Sequence, residues 1–187
     1  MSRISEFDKI VNERKHSIEL LNSYWAEYSG PSSWQFWLLL VLFILPLVVT
    51  YFKIDRNKAF EIGFYGYSIH ILISLGDLLG INMGFWNYPY QIIPSLPSLS
   101  IDTSLVPVCY MFVYQLTLKN RTKFYLYSVL VSGLFAFVIK PIMVQTGFFR
   151  MYQNVNFIHL FLLYLLLFLA ARFISYIFKR LNKGSSK

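Results

Sequence analysis

Residues 124–146 read FYLYSVLVSGLFAFVIKPIMVQT, twenty-three positions with one formal charge, Lys140, and one interior proline, Pro141. At 1.5 Å per residue such a helix exceeds the ~30 Å of a bilayer hydrocarbon core. A soluble core has no need of an uninterrupted run this long. Only helices and closed barrels satisfy the backbone in lipid, so this stretch predicts a membrane helix.

Working outward, the same pattern recurs. Apolar blocks run over about 34–52, 60–82, 103–118, 124–146 and 157–178, the third being the shortest. The chain is 56% hydrophobic and only 14% charged, more apolar than a soluble domain of 187 residues requires. The fold class expected is an all-α integral membrane protein of about five transmembrane helices, preceded by an N-terminal amphipathic helix. Residues 1–30 form that helix, 31–180 the transmembrane domain and 181–187 a polar cytoplasmic tail. The first apolar block starts only at Trp34, so no cleavable signal peptide is read.

The net charge of +8 does not point to nucleic acid, because the basic residues sit at the ends of apolar blocks. Lys53, Arg56 and Lys58 fall on one connector, Lys119, Arg121 and Lys123 on the next but one, and Lys179, Arg180, Lys183 and Lys187 at the end. The connectors 83–102 and 147–156 hold Arg150 as their one basic residue. The positive-inside rule then makes the C-terminus cytoplasmic and the two other loops external. If block 34–52 spans, the N-terminus is outside as well; Pro46 leaves open a shallow hairpin there. Cys109 alone excludes an intrachain disulfide and a CxxC site.

In residues 2–29, Ile4, Phe7, Val11, Ile18, Leu21, Trp25 and Tyr28 follow a 3/4 spacing. Four basic residues face five acidic ones, so the polar face lacks the basic character of a lipid-surface helix. Such a helix can lie on the membrane, pack on the body or pair with a partner. Residues 4–28 are the candidate surface for a protein partner or a second copy. The bilayer itself is the other expected partner.

Ionisable residues inside spans are default site candidates. Asp77 lies ~27 Å along its block from the inner end and Lys140 ~24 Å along its own, which puts both at the outer level. Asp102 opens the third block at that level. Asp77, Asp102 and Lys140 are therefore a candidate ion pair or ligand pocket, with snorkelling of Lys140 as a third account. Asp102-Thr103-Ser104 also reads as an N-cap. A short repeat reinforces the pairing: Asp77 precedes Gly84-Phe85-Trp86 by seven residues, and Lys140 precedes Gly147-Phe148-Phe149 by the same seven. Gly63, Tyr67, His70, Ser74 and Asp77 share one helix face, making Tyr67, His70 and Ser74 a supporting polar stripe. The loop GFWNYPYQIIPSLPSLS carries Trp86, Tyr88 and Tyr90 among three prolines and no charge. It reads as an interfacial aromatic belt, a lid over the charged trio, or a re-entrant segment. No spacing suits a metal and no cofactor is implied.

The strings IDRNKAFEIGFYGYSIH, GDLLG, GFWNYPYQIIP, IDTSLVPVCYMFVYQ and FAFVIKP together resemble an uncharacterised family of small multi-pass membrane proteins from endospore-forming Firmicutes. The resemblance implies a bacterial cytoplasmic-membrane protein and carries no activity. A fainter resemblance is to membrane-embedded lycopene and terpene cyclases, in Trp86, Tyr88, Pro94 and Asp102. It implies a carboxylic acid that protonates an alkene beneath aromatic faces. Here the proline and the acid are displaced, and a nearby lysine would keep Asp102 ionised. The residues leave three expectations open: a non-enzymatic assembly or accessory component, a small transport or ligand-sensing protein, and an isoprenoid cyclase-like enzyme.

Overall fold

The computed structural model describes residues 2–184; the part of the 181–187 tail from residue 185 on lies outside them. Among the described residues the elements are helices, joined by loops, and one pair of two-residue strands. Helix α1 spans Arg3–Tyr24, α2 Trp34–Lys53, α3 Ala59–Asn82, α4 Val106–Thr117, α5 Arg121–Leu134, α6 Lys140–Gln145 and α7 Phe157–Gly184. Strand β1, Trp86–Asn87, pairs antiparallel with β2, Arg150–Met151. Among the described residues four helical segments are long and apolar enough to cross a membrane: Trp34–Lys53, Arg56–Asn82, Arg121–Gln145 and Phe157–Asn182.

Pro46 does not turn α2 back. The helix is continuous from Trp34 to Lys53, with Thr50 Oγ1 donating to the Pro46 carbonyl at 2.8 Å. Its first residues meet the loop end of the bundle, where Trp34 packs on Phe148, and its last turn meets α4 through Gln115 Nε2, which donates to the Lys53 carbonyl. Among the residues of α2 only Leu39 is buried.

Helix α4 falls below the length of the other four segments and is the most enclosed. Val106, Pro107, Val108, Tyr110, Val113, Tyr114 and Thr117 are all buried. It runs beside α3 over the whole bundle, with Asp102 near Asp77 at one end and Tyr114 bonded to Glu61 at the other. The core joins α3, α4, α5 and α7 through aromatic contacts, with Tyr65 stacked on Tyr114 at 4.5 Å and Phe124 edge-on to both.

Three wide π-turns, Trp25–Ser29, Ile101–Leu105 and Phe135–Ile139, each stand just before a proline: Pro31, Pro107 and Pro141. In the last two the backbone N–H of Val106 reaches Ile101 and that of Lys140 reaches Phe135, five residues back. The widened turn makes room for a pyrrolidine ring without breaking the helix.

The Gly-Phe-aromatic repeat has a shared local structure. Gly84 (φ +71°) and Gly147 (φ +80°) both take the left-handed conformation that ends a helix. After Gly84, Phe85 N–H bonds back to Gly80 O, and Gly84 N–H to Ile81 O, a Schellman closure. The chains leaving the two glycines become β1 and β2, so the repeat delivers two extended aromatic segments that pair over one end of the bundle.

Candidate functional site

Asp77, Asp102 and Lys140 come together at that end and are only 7%, 3% and 3% exposed. Lys140 does not pair directly with either carboxylate. The one ion pair within 4 Å among the described residues is Lys179–Glu61, at the opposite end. The link is the Tyr88 hydroxyl, which accepts from Lys140 Nζ at 2.9 Å and donates to Asp77 Oδ1 at 2.8 Å. Trp86 Nε1 donates to the same oxygen at 2.8 Å. The Lys140 ammonium also sits 3.7 Å from the centre of the Phe149 ring, a cation–π contact strengthened by desolvation. Burial, and after it the Asp77 carboxylate, push the Tyr88 hydroxyl well above the ordinary tyrosine range, so Tyr88 stays a donor.

Both loop segments are needed to build this cluster. Gly80 stands one turn beyond Asp77, and a Cβ there would run into the Trp86 indole. The glycine therefore lets the indole lie across α3 and reach the carboxylate. β1 pairs Trp86 with Met151 and Asn87 with Arg150, and the same register brings Tyr88 against Phe149, with 5.1 Å between ring centres. Gln91 Nε2 donates to the Tyr88 carbonyl at 2.8 Å. The Gln91 backbone is in turn held by the end of the N-terminal segment. Gln91 N–H donates to Ser29 Oγ at 2.7 Å, and Trp25 Nε1 donates to Gln91 O at 2.9 Å.

Asp102 plays a different part from the helix cap expected of it. It lies within the π-turn Ile101–Leu105, and its carboxylate accepts from Ser98 Oγ. Because Val106 N–H is drawn back to Ile101 and position 107 has no N–H, the Asp102 carbonyl is left to another donor. His70 Nδ1 supplies it at 3.0 Å, which fixes the proton on that nitrogen. Ser74 Oγ is 3.4 Å from the same nitrogen.

The polar stripe is thus split. His70 and Ser74 face the bundle, whereas Tyr67 is exposed and Gly63 has open space before it. The buried face of α3 runs instead through Ile62, Tyr65, Ile69, Ile73, Asp77 and Gly80. Trp86 and Tyr88 are buried rather than placed as an interfacial belt, and they donate into the cluster instead of merely covering it. Tyr90 is half-buried and packs on Phe148, with 5.1 Å between ring centres. Both aromatic donors converge on Asp77, not on the Asp102 that the cyclase-like pattern would use.

The space between Lys140, Tyr88, Trp86 and Tyr164 is about 10 Å³, room for about one water molecule. A second cavity of about 210 Å³ is lined by Asp77, Asp102, Ser74 and the 95–99 stretch. Asp77 Oδ2 is buried and makes no hydrogen bond. Among the described residues no three His, Cys, Asp or Glu side chains gather as a metal site needs.

A second polar group lies at the other end. Glu61 Oε1 accepts from Lys179 Nζ at 2.6 Å and from Tyr114 OH at 2.7 Å. The Arg172 guanidinium lies 4.9 Å from the Phe124 ring centre and 5.3 Å from that of Tyr114. Glu61 and Arg172 are rare charges within apolar blocks, a signal that marks each singly; their convergence with Lys119 and Arg121 depends on the packing of α3, α4, α5 and α7. No family model, curated protein or solved structure matches the chain.

Proposed function

We propose that the chain is a bacterial inner-membrane protein of five spans that serves as a non-enzymatic assembly or accessory component. In this reading α1 pairs with a partner protein or a second copy. The observation that carries it is the state of α1. Of its periodic apolar residues Ile4, Phe7 and Ile18 are exposed, Val11 and Leu21 are half-buried, and no residue of the helix is buried. An amphipathic helix left uncovered gains little from folding alone, because helix stability comes mainly from packing the apolar face.

The five-span count is supported by α4 and the turn before it. Residues 101–117 make a helix of ~26 Å that touches both ends of α3. The basic connectors gather at the end opposite the Asp77 cluster, which supports a cytoplasmic C-terminus and an external N-terminus. The bacterial setting rests on the family resemblance. The outer cluster acts here as a clasp: its hydrogen bonds fasten the 83–100 loop to α3 and α6 and leave room at Lys140 for about one water molecule.

The test is native mass spectrometry of the full chain, extracted in mild detergent, against a variant lacking residues 2–24. The full chain is expected as a complex of two or more chains, and the truncated one as a folded monomer. A full chain that is monomeric, or a truncation that keeps the same stoichiometry, overturns the proposal.

The ligand-sensing reading is favoured by one observation, the unpaired Asp77 Oδ2 at the wall of the 210 Å³ cavity. It predicts that methylammonium at millimolar concentration raises the thermal midpoint of the parent and not of Asp77→Asn.

A further inference from the structure

At the end of the bundle away from the clasp, a cavity of about 200 Å³ opens between α3, α4, α5 and α7. Its wall carries four cations, Lys119, Arg121, Arg172 and Lys179, against one carboxylate, Glu61. That carboxylate is already engaged by Lys179 and Tyr114. Arg172 is half-buried, stacked against Phe124 and Tyr114, and has no carboxylate within 4 Å among the described residues. A guanidinium held in this way has its fork of donors pre-set for a planar or tetrahedral oxyanion.

An apolar groove of about 600 Å³ adjoins the cavity between α3 and α7. Phe60, Phe64, Phe178 and Leu181 line it, and Glu61 and Lys179 belong to both spaces. The ion pair therefore stands at the junction of a cationic chamber and a hydrocarbon-lined trough. A phosphate group alone would use the first and leave the second empty. An amphiphile with an anionic head uses both.

We infer that this end of the protein binds an acidic phospholipid, its phosphate head in the Lys119–Arg121–Arg172 cavity and an acyl chain along the Phe64–Phe178 groove. The inference rests on the membrane-spanning reading above and is independent of the assembly role of α1. The recognised chemistry is a phosphate ester, and the lipid is preferred over free phosphate because of the groove. Charge complementarity sets the selectivity for acidic over zwitterionic heads.

The test is native mass spectrometry of the full chain titrated with palmitoyl-oleoyl phosphatidylglycerol, with phosphatidylcholine of the same chains, and with inorganic phosphate. The parent is expected to retain phosphatidylglycerol adducts through activation that strips phosphatidylcholine. Each basic side chain near an anionic surface is worth about fivefold in affinity, so Lys119→Gln/Arg121→Gln should bind phosphatidylglycerol roughly thirtyfold more weakly. Both residues are exposed, and the variant should unfold at the parent's temperature in lipid-free detergent. Arg172→Gln is expected to lose the same selectivity. Equal retention of the two lipids, or undiminished phosphatidylglycerol binding by the double variant, overturns the inference. Inorganic phosphate binding as tightly as phosphatidylglycerol overturns the lipid assignment.

Discussion

Replacing Tyr88 by phenylalanine removes one oxygen atom and, with it, two hydrogen bonds to charged groups. The hydroxyl accepts from Lys140 Nζ at 2.9 Å and donates to Asp77 Oδ1 at 2.8 Å. Bonds of this kind contribute about 1.5–3 kcal/mol each. The lower figure applies where the unfolded chain also finds partners within the membrane. Tyr88→Phe should then cost about 3 kcal/mol, a fall of roughly 6–12 °C in the thermal midpoint for a chain of this size. In a Lys140→Met background the hydroxyl has one of its two partners left, so the same substitution should cost about 1.5 kcal/mol. The difference, about 1.5 kcal/mol, is the coupling between positions 88 and 140. The assay is thermal unfolding of the parent, the two single variants and the double variant in one mild detergent. An equal cost of Tyr88→Phe in both backgrounds would refute the bridging role of the hydroxyl. A Tyr88→Phe variant as stable as the parent would refute the clasp altogether.

Two further outcomes follow from the same geometry. Gly80→Ala places a methyl group where the Trp86 indole lies, so it should cost about 1–3 kcal/mol and change the near-ultraviolet circular dichroism of the buried tryptophan. The Tyr88 hydroxyl has a folded pKa raised well above the ordinary value of 10.0. Its stabilisation is thus complete below about pH 10 and is lost as the pH climbs toward the folded value. The stability gap between parent and Tyr88→Phe, followed by thermal unfolding, should narrow as the pH rises past about 10.

Much of this arrangement is legible in the sequence because long apolar blocks follow simple rules. Block length and the placement of Lys and Arg at block ends are enough to read the long helices. Counting residues along the blocks 60–82 and 124–146 puts Asp77 and Lys140 at one level. The matching Gly-Phe-aromatic triplets after them correspond to two left-handed glycines and two paired strands. What could not be read is set by tertiary packing. The period of α3 places Tyr67 on the same face as Asp77, yet over ten residues the helix drifts enough to leave Tyr67 exposed. Opposite charges at one depth suggest a direct pair, whereas a phenol from the loop stands between them. Asp102 sits in a good capping string, but Pro107 imposes a π-turn that draws it inside the helix and hands its carbonyl to His70. The anchoring of Gln91 by Trp25 and Ser29 joins residues more than sixty positions apart, and no periodicity signals it.

A lysine on α6 holds the loop that follows α3. Hydrogen exchange of the parent and of Lys140→Met in the same lipid nanodiscs tests it most directly, because residue 140 is not part of that loop. The Gln91 amide is held by Ser29 and the Tyr152 amide by the Phe85 carbonyl, so both report on the loop's fastening. Exchange should be slow over 85–91 and 150–152 in the parent and clearly faster there in the variant, with the centre of α4 unchanged. Equal protection of those segments in the two proteins would contradict it.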